Sequence, residues 1–142
     1  VSFNYDDRTL SLNHKRKIQS FIASIFKKEK KVLNRLYYIF CSDENLLQIN
    51  RSFLKHDFYT DIITFDLSEV VAETIGEVYI SIDRVKDNAA AMKVSFEEEA
   101  LRVLFHGALH LCGYKDKKKE DIAVMRKKED YYITLYKSQR ST

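Results

Sequence analysis

The sequence predicts an α+β (mixed α/β) fold, a small mixed sheet of about four strands packed with about five helices. Three observations predict it. Val32–Cys41, Asp61–Leu67 and Gly76–Ile82 are short segments rich in β-branched and aromatic residues, the composition of strands. Between and after them lie longer segments whose apolar residues recur at helical spacing. The 142 residues contain no proline and 3 glycines, so few backbone breakers interrupt either kind of element.

Each element has its own justification. Val1–Tyr5 alternates weakly and is expected to be a strand. His14–Lys28 places Ile18, Phe21, Ile22 and Ile25 on one face and ends in lysines that suit the negative end of a helix dipole. Val32–Cys41 reads as a strand. Ser42-Asp43-Glu44 opens a helix, with Ser42 or Asp43 as cap and Leu46, Leu47, Ile49, Asn50, Phe53 and Leu54 following. DIITFDL (Asp61–Leu67) and GEVYISI (Gly76–Ile82) are strands joined by a polar connection, and Asp83–Met92 is helical. Ser95 with Glu98 makes a capping box at the head of a long helix running to Cys112. Gly113 is placed to end that helix in a left-handed conformation, and a last helix runs from about Glu120 to Lys137. No repeat, linker or low-complexity tract divides residues 1–142, so they read as a single domain.

Composition excludes several classes of function. No run approaches the roughly 18 apolar residues of a membrane span, and VSFNYDDRTL lacks the basic-then-apolar pattern of a signal peptide. Cys41 and Cys112 are too few for a disulfide framework, so a reducing cytoplasm is the expected compartment. The formal charge of +3 is only mildly basic, but lysine and arginine are clumped at 14–17, 27–31, 115–119 and 126–128. Most such runs are solvated helix faces. The run at 115–119 differs because it adjoins a pair of histidines.

Those histidines carry the chemistry. In HGALHLCGYKD, His106 and His110 are four apart, so a helix stacks them on one face and offers two imidazoles to one ion. Gly113 stops the helix, and Asp116 can then return as an oxygen ligand. Three protein ligands leave a fourth position for water, as a catalytic zinc requires. The metal site is thus expected at the end of a central helix. On a helical wheel, Leu101, Leu104, Phe105, Ala108, Leu109 and Cys112 form one apolar arc, and the histidines fall nearly opposite on a stripe shared with Glu99. Val103, Gly107 and Leu111 extend the apolar girth, which predicts burial on more than one side and histidines lining a cleft. The bland alternative is a pair of surface histidines, or core histidines bonded to backbone. Zinc peptidases place their general base at His-Glu-x-x-His, but Gly107 stands there, so a peptidase reading lacks its base.

The sequence resembles the YbeY family of bacterial endoribonucleases and ribosomal-RNA maturation factors. The family motif His-Gly-x-Leu-His-Leu-x-Gly-Tyr-Asp-His is matched by HGALHLCGYKD, preceded by FEEEALRVLFHG. GEVYISIDRVKDNAA resembles the family's strand-then-helix segment, and INRSFLKHDFYTDIITFD its Leu-Asn-x-x-Tyr-Arg-x-Lys-Asp-x-Pro-Thr-Asp-Val-Leu-Ser-Phe segment. Met125 and Glu129 also fit. The likeness spans about Asn45 to Glu129.

The resemblance implies a single metal-dependent hydrolase domain acting as a single-strand-specific endoribonuclease. Its implied roles are maturation of the 3′ end of small-subunit ribosomal RNA and ribosome quality control. It implies one Zn2+ per chain, or Ni2+ or another divalent ion, held by His106, His110 and Asp116, which are also the expected catalytic residues. The implied partners are ribosomal RNA precursors and possible ribosomal proteins, with no DNA and no membrane. Lys115, Lys117, Lys118 and Lys119 are expected to contact the RNA backbone. Two departures stand out. Asp116 occupies the position of the family's third histidine ligand, and Leu54 that of the family arginine in Tyr-Arg-x-Lys-Asp. Arg51, Lys55 and His56 are the candidates to replace that charge. Met125 and Cys112 are expected in the core. Glu99 either orients a ligand histidine or is exposed, and His14 is a surface residue. Two rival readings remain: a non-catalytic RNA-binding assembly factor with a structural metal, and a metallohydrolase of small molecules.

Overall fold

Val32–Cys41, rich in aromatic and β-branched residues, forms the longest strand of the sheet in the computed structural model, which describes residues 1–70 and 72–140. In chain order the elements are β1 (Ser2–Tyr5), α1 (Lys15–Lys28), β2 (Val32–Cys41), α2 (Asp43–Ile49), β3 (Ile62–Asp66), β4 (Glu73–Ser81), α3 (Ile82–Met92), α4 (Phe96–Leu111) and α5 (Lys119–Arg140). The sheet order is β1-β2-β4-β3. β1, β2 and β4 run parallel, and β3 pairs antiparallel with β4 at the edge. Parallel neighbours need a crossover rather than a hairpin, and α1 supplies it between β1 and β2. The mixed four-stranded sheet and five helices agree with the expected fold class. β4 begins at Glu73, earlier than Gly76, because the connection before it folds back in an isolated bridge of Val70 to Glu73.

The helix opened by Ser42 also departs from expectation. Ser42 caps it as foreseen, its side chain accepting from the Asn45 amide. From Asn50 to Leu54, however, the chain widens into a π-helical turn. Asn50 is buried, and its Nδ2 donates to the Phe58 carbonyl at 2.8 Å, while its own carbonyl accepts from His56 N at 3.1 Å. These two bonds fasten the loop after the turn to the end of the helix.

α4 is the central helix, in contact with β3, β4, α1, α3 and α5. Leu101, Phe105, Ala108 and Leu109 are fully buried, and Val103 and Leu111 are buried on another side, as the apolar girth predicted. Close approach to the sheet requires Gly107. A Cβ there would lie 2.9 Å from Val78 Cγ1 and 3.2 Å from Ile62 Cδ1. The buried Tyr38 of β2 adds a polar tie, donating its hydroxyl to the Leu104 carbonyl at 2.7 Å. At the head of α4, Ser95 Oγ accepts from Glu98 N at 3.0 Å, one half of the capping box. Glu98 turns outward and pairs with Lys137 of α5 at 2.5 Å instead of closing the other half.

The end of α4 closes in a Schellman motif. Gly113, at φ +108°, donates to the His110 carbonyl at 3.0 Å, and Tyr114 N donates to the Leu109 carbonyl at 3.1 Å. The reversed chain is then clamped by Glu29 at the end of α1. Glu29 accepts from Tyr114 OH at 2.7 Å, from Tyr132 OH of α5 and from Lys128 Nζ at 3.3 Å. Burial pushes the Glu29 carboxyl up, but the hydrogen bonds from Tyr132, Tyr114 and Lys128 outweigh it and hold it below its usual value.

Two outcomes are expected. Gly107→Val should cost about 1–3 kcal/mol by overpacking α4 against β4, read as a lower denaturation midpoint, and a midpoint equal to wild type would refute the close seat. Glu29→Gln should cost about 1–2 kcal/mol at neutral pH by weakening its charge-assisted bonds. Because the folded carboxyl titrates below the ordinary value of 4.5, its contribution is complete above that pH and is lost as pH falls through the folded value. Denaturation curves of the two proteins should therefore converge in acid, and a gap that stays constant below pH 4 would exclude the clamp.

Candidate active site

α4 presents His106 and His110 on the face turned towards β3 and the turn after Gly113. Their rings are nearly parallel, 7° apart, with centroids separated by 6.5 Å, as one helical turn dictates. His106 is held from both sides. Its Nδ1–H donates to Glu129 Oε2 of α5 at 2.6 Å, and its Nε2 bonds Asp116 Oδ2 at 3.1 Å. Glu129 is almost fully buried, and its second oxygen accepts from Arg102 Nη1 at 2.9 Å. Arg102 reaches on to Asp130 at 2.7 Å. A buried carboxylate with both oxygens engaged fixes the imidazole in the orientation that directs Nε2 outward.

The electrostatics follow from this enclosure. Burial alone pulls the His106 pKa down, but the Glu129 hydrogen bond and the charges of Glu129, Asp116 and Asp61 raise it above the ordinary histidine value. Burial pushes the Asp61 carboxyl up, against the pull of His106. Glu99 is raised by burial first and by Asp61 second.

His106 and Asp116 stand on the wall between two depressions. One, of about 350 Å³, is lined by carboxylates and arginines, among them Asp61, Glu99, Glu129, Arg102 and Arg126. The other, of about 380 Å³, is lined by Leu54, His56, Phe58, His110 and Lys117 beside His106 and Asp116.

Two imidazoles and a carboxylate are donors suited to zinc or a similar divalent ion. Among the described residues, no three histidine, cysteine or carboxylate side chains enclose an ion as they stand. His106 Nε2 and Asp116 bond each other instead. In donor chemistry the set fits such an ion, since His106, His110 and Asp116 line one depression and Glu129 already holds the far nitrogen of His106.

The other expected residues divide. Lys117 lines the depression with His110, whereas Lys115, Lys118 and Lys119 are exposed on the turn and at the start of α5. His56 lines the same depression, Lys55 is exposed at φ 54°, and Arg51 is paired with Asp57 at 2.5 Å. Met125 and Cys112 are in the core. Burial pushes the Cys112 thiol up to about 12, which leaves it inert. His14 is exposed and caps α1 in a left-handed conformation. Glu99 is buried and lines the acidic depression, yet the carboxylate on His106 is that of Glu129. A signal for Glu129 existed in the sequence. It is an acid on the buried stripe of α5 with Met125, Tyr132, Ile133 and Tyr136. Among the described residues, no helix is long and apolar enough to cross a membrane.

Comparison with known proteins bears on what this arrangement is. The family model described as endoribonuclease YbeY matches residues 2–137. An endoribonuclease YbeY from Cytophaga hutchinsonii is 50% identical over 137 residues, covering 96% of each chain. One from Flavobacterium johnsoniae is 44% identical over 136 residues, again covering 96% of each. The fold is similar to the solution structure of a Thermotoga maritima protein, with a TM-score of 0.62 and 26% identity over 97% of this chain and 93% of that one. On sequence and fold together, the chain belongs to the YbeY family of endoribonucleases, hydrolases that act on RNA.

Proposed function

We propose that this chain is a single metal-dependent hydrolase domain that cleaves single-stranded RNA during ribosomal-RNA maturation, at the 3′ end of the small-subunit RNA, and in ribosome quality control. The observation that carries the reading is that His106, His110 and Asp116 line one open depression, with His106 braced by Glu129. The ribosomal substrate rests on family membership. The cytoplasm is the compartment that substrate requires.

His106, His110 and Asp116 would hold the ion, zinc or another divalent metal. Bound there, it supplies Lewis acidity towards a phosphoryl oxygen and a more acidic water. The protein's own groups do the rest. Glu129 keeps His106 Nδ1 protonated and its ring fixed, with Arg102 holding the carboxylate in turn. Asp116 in place of a histidine adds a negative charge to the ligand set. Lys117 lies on the wall of the depression, and Lys115, Lys118 and Lys119 extend the positive charge along the turn. These groups favour a long polyanion over a small ester.

A second reading has one observation in its favour. Leu54 lines the depression where the family carries arginine, and Arg51 is engaged by Asp57. An assembly factor that binds RNA without cutting it needs no such guanidinium.

Elemental analysis of the purified protein should give about one zinc per chain after loading, and His110→Ala should lose it together with cleavage of unstructured RNA, by more than the roughly 10–100-fold that loss of an outer-shell partner costs. RNA binding that survives His110→Ala with no cleavage by the wild type would move the assembly-factor reading to first place. RNA affinity should fall steeply between roughly 50 and 200 mM salt. Lys117→Ala should flatten that dependence by about 0.7 in log–log slope, the contribution of one phosphate contact to a single strand. An unchanged slope would remove Lys117 from the RNA path.

A further inference from the structure

Phe58 is 56% exposed although it lies at the mouth of the candidate active site. Its ring stacks on that of His56, with centroids 5.1 Å apart and planes 20° apart, and both line the depression that holds His106, His110 and Asp116. The pair is not on a loose tip. Asn50, 1% exposed, bonds the carbonyl of Phe58 and the amide of His56, so the backbone on both sides of the stack is anchored to the π-helical turn. Neighbouring aromatics are engaged elsewhere. Phe53 packs edge-on against Phe65, and Tyr59 lies under the Arg84 guanidinium and donates to Glu44 at 2.6 Å.

Charge decides which depression an RNA strand can follow. The first is lined by Asp61, Glu99, Asp116 and Glu129 against Arg102 and Arg126, with Arg102 already paired to Glu129 and Asp130, and this acidic excess disfavours a phosphate chain. The second has Asp116 as its single acidic lining residue, accompanied by Lys117 and three histidines. A strand with a phosphate at His106, His110 and Asp116 therefore runs over Lys117, Leu54 and the Phe58–His56 stack. Unpaired bases stack on aromatic rings of any identity, whereas paired bases have no free face to offer.

We propose that Phe58 and His56 form a stacking subsite for one unpaired base next to the phosphate that is cleaved, with Leu54 as its apolar wall. This rests on the endoribonuclease reading above. It gives the departure at Leu54 a role. A position that carries arginine in the family here faces a base instead of a phosphate, and the subsite itself selects single strands over duplex.

The test pairs protein and RNA changes. Equilibrium binding is measured for an unstructured oligoadenylate and for copies carrying one abasic nucleotide moved along the strand. The wild type should lose about tenfold in affinity at one position, a typical loss for one stacked base. Phe58→Ala should lose about tenfold on the intact strand and nothing further at that position, while Phe58→Trp retains the wild-type pattern. Because Phe58 is exposed, the variants should fold, and circular dichroism checks that they do. The subsite is overturned if no abasic position matters, if the two losses add, or if Phe58→Ala binds as wild type does, which would leave the ring to a protein partner. A protein with this base dependence but no cleavage after zinc loading keeps the subsite and loses the nuclease reading. Cleavage without base dependence does the reverse.

Discussion

The close seat of α4 on the sheet at Gly107 is the constraint on which the other features depend. With hydrogen as its side chain, the helix sits against Val78 and Ile62, and its flanks then fall at fixed heights beside β3, β4 and α5. Tyr38 ties the same helix to β2 through a buried hydrogen bond. His106 directly precedes the contact glycine and His110 follows one turn after His106. Their positions relative to the sheet edge are therefore set by core packing rather than by loops. Interiors packed at crystal-like density shift little, and a site built on them inherits that rigidity.

Around this helix the polar groups are arranged in layers. Glu129 reaches His106 from α5 and is itself held by Arg102 of α4, so the two helices exchange a histidine–carboxylate–guanidinium chain. Breaking one member of such a buried set leaves an uncompensated charge, which costs about 3–5 kcal/mol. Glu29 performs the corresponding service for the turn, collecting hydroxyls from Tyr114 and Tyr132 and the amine of Lys128. The turn from Tyr114 to Asp116 is thus suspended between the end of α1 and the middle of α5. The acidic depression and the one lined by His56 and Phe58 meet at His106 and Asp116.

What could be read from the sequence was what local spacing determines. The helix from Ser95, its stop at Gly113, the shared face of His106 and His110 and the return of Asp116 all lie within the 22 residues from Ser95 to Asp116. The sheet order was not legible, because pairing β2 with β4 joins segments whose affinity is set by burial, not by any nearby signal. Glu129 is 23 residues from His106 and Glu29 is 85 residues from Tyr114, and nothing in a helical wheel says which neighbouring helix will supply a partner. Glu99 shared the histidine stripe and read equally as an orienting acid or an exposed residue; it is buried, and it is Glu129 of α5 that reaches His106. The π-helical turn at Asn50–Leu54 was hidden for a different reason. The residues there have ordinary helical spacing, and the bond that accompanies the wider turn, from the Asn50 side chain to the Phe58 carbonyl, joins residues eight apart.

The bond from α5 to His106 also bears on the order of events during synthesis. The two histidines, the turn and Asp116 are all made before the helix that carries Glu129, Tyr132 and Lys128. Until α5 has been translated and docked, His106 lacks the carboxylate that aligns it, and Glu29 lacks two of its three donors. Before α5 docks, the chain therefore holds His106 and the turn without their supports. The alignment of His106 is thus a property of the docked helix pair, and it follows the docking of α5 rather than the folding of α4 alone.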